Sequence, residues 1–173
     1  ASVPEEGSPR APQVLFDSGV PILGICYGQQ VMSHQLGGEV RPGHETGDGG
    51  EFGRAFLTVT ENCALFDGLW AVGERHQVWM SHGDSIVRLP ANAVVEATTE
   101  SIPVAAFRFR DEDTYGIQFH PEVVHSEHGT QLLRNFVYEI AGCSPSWTPA
   151  SFIDESVASL KSQIGEGKVV LGL

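Results

Sequence analysis

The chain has 173 residues, 41% of them apolar and 18% charged, with a formal net charge of −12. That length supports one ordinary hydrophobic core. The acidic balance argues against a nucleic-acid face, which needs clustered cations, and no apolar run approaches the length of a membrane span.

Residues 1–6 carry neither the basic nor the apolar segment of a secretory leader. Three widely spaced cysteines give no disulfide framework and fit a reducing, cytoplasmic setting. Residues 9–16 read as a short helix with prolines in its opening turn, closed by Gly19. Residues 20–25 read as a buried strand, 27–36 as a helix stopped by Gly37 and Gly38, and the glycine-rich 41–53 as a loop. Strands are expected at 55–60, 77–81, 86–89, 94–98, 104–109 and 115–119, mostly separated by turn residues. Leu132, Leu133, Phe136, Val137 and Ile140 form one face of a helix over 129–141. A linker-like segment follows Gly142. Phe152, Ile153, Val157, Leu160 and Ile164 then mark a second amphipathic helix, and 168–173 an apolar strand. The predicted class is α/β, an open, mostly parallel sheet flanked by helices.

The segment Gly24-Ile25-Cys26-Tyr27-Gly28-Gln29-Gln30 joins the first strand to its helix. A cysteine at such a turn stands at the sheet rim, and the flanking glycines permit a strained backbone. The helix N-terminus behind it is expected to lower the thiol pKa and favour the thiolate. A nucleophile needs a base and the base an orienting group. Tyr115-Gly116-Ile117-Gln118-Phe119 leads into His120-Pro121-Glu122, at the strand edge where Cys26 is expected. Pro121 restricts its neighbours, so Glu122 can set the tautomer of His120. Cys63 and Cys143 stand in no glycine-rich turn and are taken as structural, as is the helix residue His34. His120, His125 and His128 match no zinc spacing, and no metal site is assigned.

The Cys26 and His120 motifs together resemble the class I (triad) glutamine amidotransferases, over nearly the whole chain. Trp79-Met80-Ser81-His82-Gly83-Asp84, Ser8-Pro9-Arg10-Ala11-Pro12 and the tail with Trp147 and Phe152-Ile153-Asp154-Glu155 look like the GMP synthetase branch of that family. The resemblance implies a flavodoxin-like fold and a division of labour. Cys26 attacks the glutamine side-chain amide, His120 shuttles the proton, Glu122 orients His120, and the Tyr27 N–H stabilises the oxyanion. Gln30, Ser81, His82, Gly83 and Asp84 are assigned to glutamine binding, with a structural role for His82 and a turn role for Asp84 as the plainer alternatives. His125 fits an extended His-Pro-Glu-Val-x-His signature with a supporting role, and Trp79 and Trp147 are packing or interface residues.

By the same resemblance, residues 1–143 form the glutaminase domain, with its first strand, first helix and second oxyanion donor expected upstream of Ala1. Residues 144–151 form a linker, and 152–173 begin an ATP-pyrophosphatase (synthetase) domain that continues past Leu173. The implied partners are glutamine and that synthetase domain, which uses XMP, ATP and Mg²⁺ in a full-length homodimer. This chain itself is expected to hold no cofactor. The alternatives are a glutaminase component of the carbamoyl-phosphate or anthranilate synthase type, a silent interaction domain, or another thiol hydrolase.

Overall fold

The computed structural model describes residues 2–47, 49–145 and 149–170. They fall into two units, Ala1–Gly142 and Cys143–Leu173. In the first, α1 (Gln13–Asp17) precedes β1 (Ile22–Ile25), the elbow at Cys26 and α2 (Tyr27–Gln35). Then come β2 (Glu39–Pro42), α3 (Gly43–Thr46), β3 (Glu51–Val59), β4 (Arg75–His82), β5 (Asp84–Arg88), β6 (Ala93–Thr98), β7 (Ala106–Phe109) and β8 (Thr114–Ile117). The unit closes on α4 (Gly129–Arg134), which continues as a π-helical turn at Asn135–Ile140.

Six strands form one sheet in the order β1-β8-β7-β6-β3-β4, and β2 pairs with β5 in a small second sheet. The α/β class holds, but the sheet is mixed rather than mostly parallel. Only β1 and β8 run parallel, and the other pairs of the large sheet are antiparallel. The links explain this. A parallel return needs a crossover of about a dozen or more residues, whereas only 110–113 separate β7 from β8 and 99–105 separate β6 from β7. The 41–53 loop also proves partly ordered, since β2, α3 and the start of β3 lie in or overlap it. The strand expected at 86–89 begins instead at Asp84 and leaves the large sheet to pair with β2.

The alternation of β8 divides the core. Tyr115, Ile117 and Phe119 pack with Leu57, Val78, Met80 and Leu132 on one face. Phe107 and Phe109 pack with Val31, Met32, Val40 and Ile86 on the other, under α2. Packing thus fixes the register of β8, and with it the positions of the residues beyond its end.

The second unit is the helix α5 (Pro149–Ile164), whose Phe152, Ile153, Val157, Leu160 and Ile164 are exposed. Residues 167–170 carry no regular structure. Trp147 and the last part of the expected terminal strand, 171–173, lie outside the described residues. No helix among the described residues is long and apolar enough to cross a membrane.

Candidate active site

The parallel pairing of β1 with β8 places the two sequence motifs at one edge. Ile25 is registered with Ile117, and the Cys26 N–H extends the ladder by donating to the Ile117 carbonyl at 2.8 Å. One chain then turns into α2 and the other runs on through Gln118 and Phe119 to His120. Cys26 itself carries the backbone strain, with φ 52° and ψ −109°, a region that costs a non-glycine residue about 1–3 kcal/mol. Of the flanking glycines, Gly24 is required by close approach. A Cβ there would lie 2.9 Å from the Gln29 nitrogen and from the Gly28 carbonyl carbon. Gly28 faces open space.

The thiol is half-buried, and its pKa is raised, contrary to the sequence-based expectation. Burial is the main cause. The Tyr27 backbone N–H and the Gln118 amide act against it, and the nearby Glu122 carboxylate adds to it. The sulfur donates to the Ser81 carbonyl at 3.6 Å and accepts from Gln118 Nε2 at 3.6 Å. Cys63 differs: burial first, and then the charge of Glu96, push its thiol up to about 12.

His120 Nδ1 lies 2.7 Å from Glu122 Oε1. This fixes the imidazole so that Nε2 is left for chemistry, the arrangement expected of a base with its orienter. The backbone of His120 is held as firmly. Its N–H donates to the Trp79 carbonyl at 2.9 Å, and its carbonyl accepts from Ser126 Oγ at 2.5 Å. That same Ser126 oxygen accepts from the Trp79 N–H at 3.1 Å. His125 sits against the Trp79 ring, with centroids 4.4 Å apart, and its carbonyl accepts from Gln77. Gly129 closes the loop behind, because a Cβ there would lie 2.0 Å from the Pro121 carbonyl oxygen. No hydrogen bond joins Cys26 to His120 among the described residues, and the thiol is turned toward the Ser81 carbonyl. Such contacts are commonly loose before substrate binds.

Four of the five residues assigned to glutamine run from the end of β4 to the start of β5 and alternate between exposed and buried. Ser81 and Gly83 are exposed, and the Ser81 carbonyl lies 3.6 Å from the sulfur. His82 and Asp84 are buried and engaged within the protein. His82 is buried, with Nδ1 at 2.9 Å from the Asp84 carbonyl and Nε2 at 3.2 Å from Glu51. Burial works to raise the pKa of Glu51, but the hydrogen bonds from His82 and Thr99 and the attraction to His82 hold it below the ordinary value. The Asp84 carboxylate accepts from Ser2 Oγ at 2.7 Å and the Val3 N–H at 2.9 Å, tying the amino-terminal segment to this loop. Gln30 is also buried, and its amide nitrogen is engaged by the Asp84 carbonyl and by Gln118.

Sequence reasoning missed Ser126, Glu51 and Gln118. A glutamine between apolar Ile117 and Phe119, just past the end of β8, was a usable signal for Gln118, whereas the other two depend on long-range pairing. Among the described residues, no group of three or more His, Cys, Asp or Glu side chains could hold a metal ion.

A Cys at a strained strand–helix elbow thus shares one sheet edge with a hydrogen-bonded His–Glu pair that follows the adjoining parallel strand. The family model for glutamine amidotransferase class-I matches residues 2–140, and the chain belongs to that family. It is 50% identical over 173 residues to the GMP synthase [glutamine-hydrolyzing] of Rhizobium rhizogenes, covering 100% of this chain and 32% of that one. To the corresponding protein of Brucella melitensis biotype 1 it is 49% identical over 172 residues, 99% of this chain and 33% of that one. The chain therefore spans about a third of the length of these curated relatives. Among solved structures, it resembles a GMP synthase component from Thermoplasma acidophilum, with a TM-score of 0.66 and 30% identity over 84% of this chain and 65% of that one. It also resembles a glutamine amidotransferase from Thermotoga maritima, with a TM-score of 0.56 and 25% identity over 86% of this chain and 53% of that one.

Proposed function

We propose that the chain is the glutaminase portion of a GMP synthase, releasing ammonia from glutamine for the ATP-dependent amination of XMP to GMP. The observation that carries this reading is the junction of the strained Cys26 elbow with the strand that ends in the hydrogen-bonded His120–Glu122 pair. The half-identity to GMP synthases supports the particular acceptor.

In the proposed reaction the Cys26 sulfur attacks the side-chain carbonyl carbon of glutamine while His120 Nε2 takes the thiol proton. The oxyanion is received by the Tyr27 N–H. As the intermediate collapses, the C–N bond breaks and His120 returns the proton to the departing ammonia, leaving a glutamyl thioester. Water then adds to the thioester with His120 as base. Glutamate leaves, and sulfur departs as thiolate and is reprotonated. Ser81 and Gly83 form the rim at which the amino-acid end of glutamine binds. Free ammonia is mostly protonated at neutral pH and so not nucleophilic, which is the reason to generate it beside its acceptor. ATP, Mg²⁺ and XMP belong in this reading to the synthetase portion, which residues 152–173 begin, in a homodimeric whole protein. A cytoplasmic setting fits the unpaired state of Cys26, Cys63 and Cys143.

The test is covalent trapping in the whole protein with a diazo-ketone analogue of glutamine, followed by peptide mapping. Cys26 is expected to be modified and Cys63 and Cys143 spared, and glutamine turnover to rise when ATP and XMP are added. Absence of label at Cys26 would overturn the glutaminase reading. Turnover indifferent to ATP and XMP would overturn the coupling to GMP synthesis.

A further inference from the structure

The reaction as proposed leaves one buried polar side chain at the sulfur without a role. Gln118 is fully buried. It follows β8 on the α2 side of the sheet, and its backbone N–H is fixed on the Ala105 carbonyl at 2.8 Å. Its amide nitrogen donates to Cys26 Sγ at 3.6 Å, and its amide oxygen accepts from Gln30 Nε2 at 2.9 Å.

The direction of this amide is dictated. Gln30 Nε2 also donates to the Asp84 carbonyl at 2.7 Å. A backbone carbonyl can only accept, so Gln30 must present its nitrogen there. Both hydrogens of that nitrogen are then engaged, one on Asp84 and one on Gln118. Gln118 in turn must present its oxygen to Gln30 and its nitrogen to the sulfur. Rotating it by half a turn would set two N–H groups against each other. The polarity of the chain Asp84–Gln30–Gln118–Cys26 is thus anchored at a main-chain oxygen and ends as an N–H donor aimed at sulfur.

The sulfur consequently has partners of opposite preference. The Ser81 carbonyl can hold only the protonated thiol, whereas the Gln118 amide favours the thiolate. We propose that Gln118 is a positioning residue for the nucleophile, holding the Cys26 thiolate for attack and receiving it again when the thioester is hydrolysed. The proposal rests on the reading of Cys26 as nucleophile. It gives buried Gln30 a role distinct from touching substrate, as the clamp that orients Gln118.

The test compares Gln118→Met, which keeps length but removes the donor, with the unmodified whole protein. The primary readout is the rate of iodoacetamide alkylation at Cys26 against pH, without glutamine and resolved by peptide mapping. The alkylation midpoint is expected to move up by about one pH unit, a roughly tenfold loss of thiolate below it. Glutamine kcat should fall about 10- to 100-fold with KM little changed. Gln118→Glu, also of native length, should move the midpoint further in the same direction and serves if the Met variant does not fold. An unchanged midpoint in a folded variant would overturn the proposal even if turnover fell, because the side chain would then be structural. The two readings fail separately. Loss of the glutaminase reading appears as an unmodified Cys26 in the wild-type trapping experiment, and loss of this one as unaltered alkylation in a variant whose parent is trapped.

Discussion

Replacement of Cys26 by alanine is expected to lower glutamine-dependent synthesis by about 10⁴-fold or more while leaving synthesis from added ammonia intact in the whole protein. The elbow explains why the loss should be confined to one half-reaction. The Cys26 N–H bond to Ile117 is a main-chain contact, so Cys26→Ala keeps the ladder between β1 and β8 and removes only the sulfur. Assays with glutamine and with ammonium salts as alternative nitrogen donors decide the matter. Loss of both activities would show that Cys26 supports the fold or the acceptor site rather than amide cleavage.

His120→Ala should approach the same loss of glutamine use, within about tenfold, because nucleophile and base act as one unit. Glu122→Gln should cost about 10- to 100-fold less than His120→Ala. The structure supplies the reason for the order. The His120 backbone is fixed independently by Trp79 and Ser126, so the residue stays at the sheet edge when the carboxylate is changed. The Glu122 side chain is also half exposed, at 51%, and water can take over part of its role. Steady-state glutaminase rates for the three variants test this. A greater loss for Glu122→Gln than for His120→Ala would exchange the roles assigned to them.

Much of this site was legible in the residues. A cysteine between a short apolar run and a helical one announced the elbow, and His120-Pro121-Glu122 after a run of β-formers announced the second motif. The alternation from Ser81 to Asp84 was equally available, and it separates exposed Ser81 and Gly83 from inward His82 and Asp84. The mixed sheet was hidden in part, because apolar strands look alike whichever way they run. The short 110–113 link was the readable clue that β7 and β8 form a hairpin. Glu51, Ser126 and the Asp84 bond to Ser2 were not legible, since they join residues 31, 47 and 82 positions apart. The thiol of Cys26 was misjudged for a similar reason. A helix terminus is visible in sequence, but the burial that outweighs it depends on what folds over the sulfur.

The positive φ at Cys26 sets function against robustness. Glycine is the residue that tolerates φ 52° with least penalty. A lineage selected only for a durable fold would drift to glycine there and gain thermal resilience as it lost its chemistry. A cysteine at this corner forgoes that resilience to keep a thiol at the sheet edge, so Cys26→Gly is expected to raise the melting temperature as it removes the sulfur.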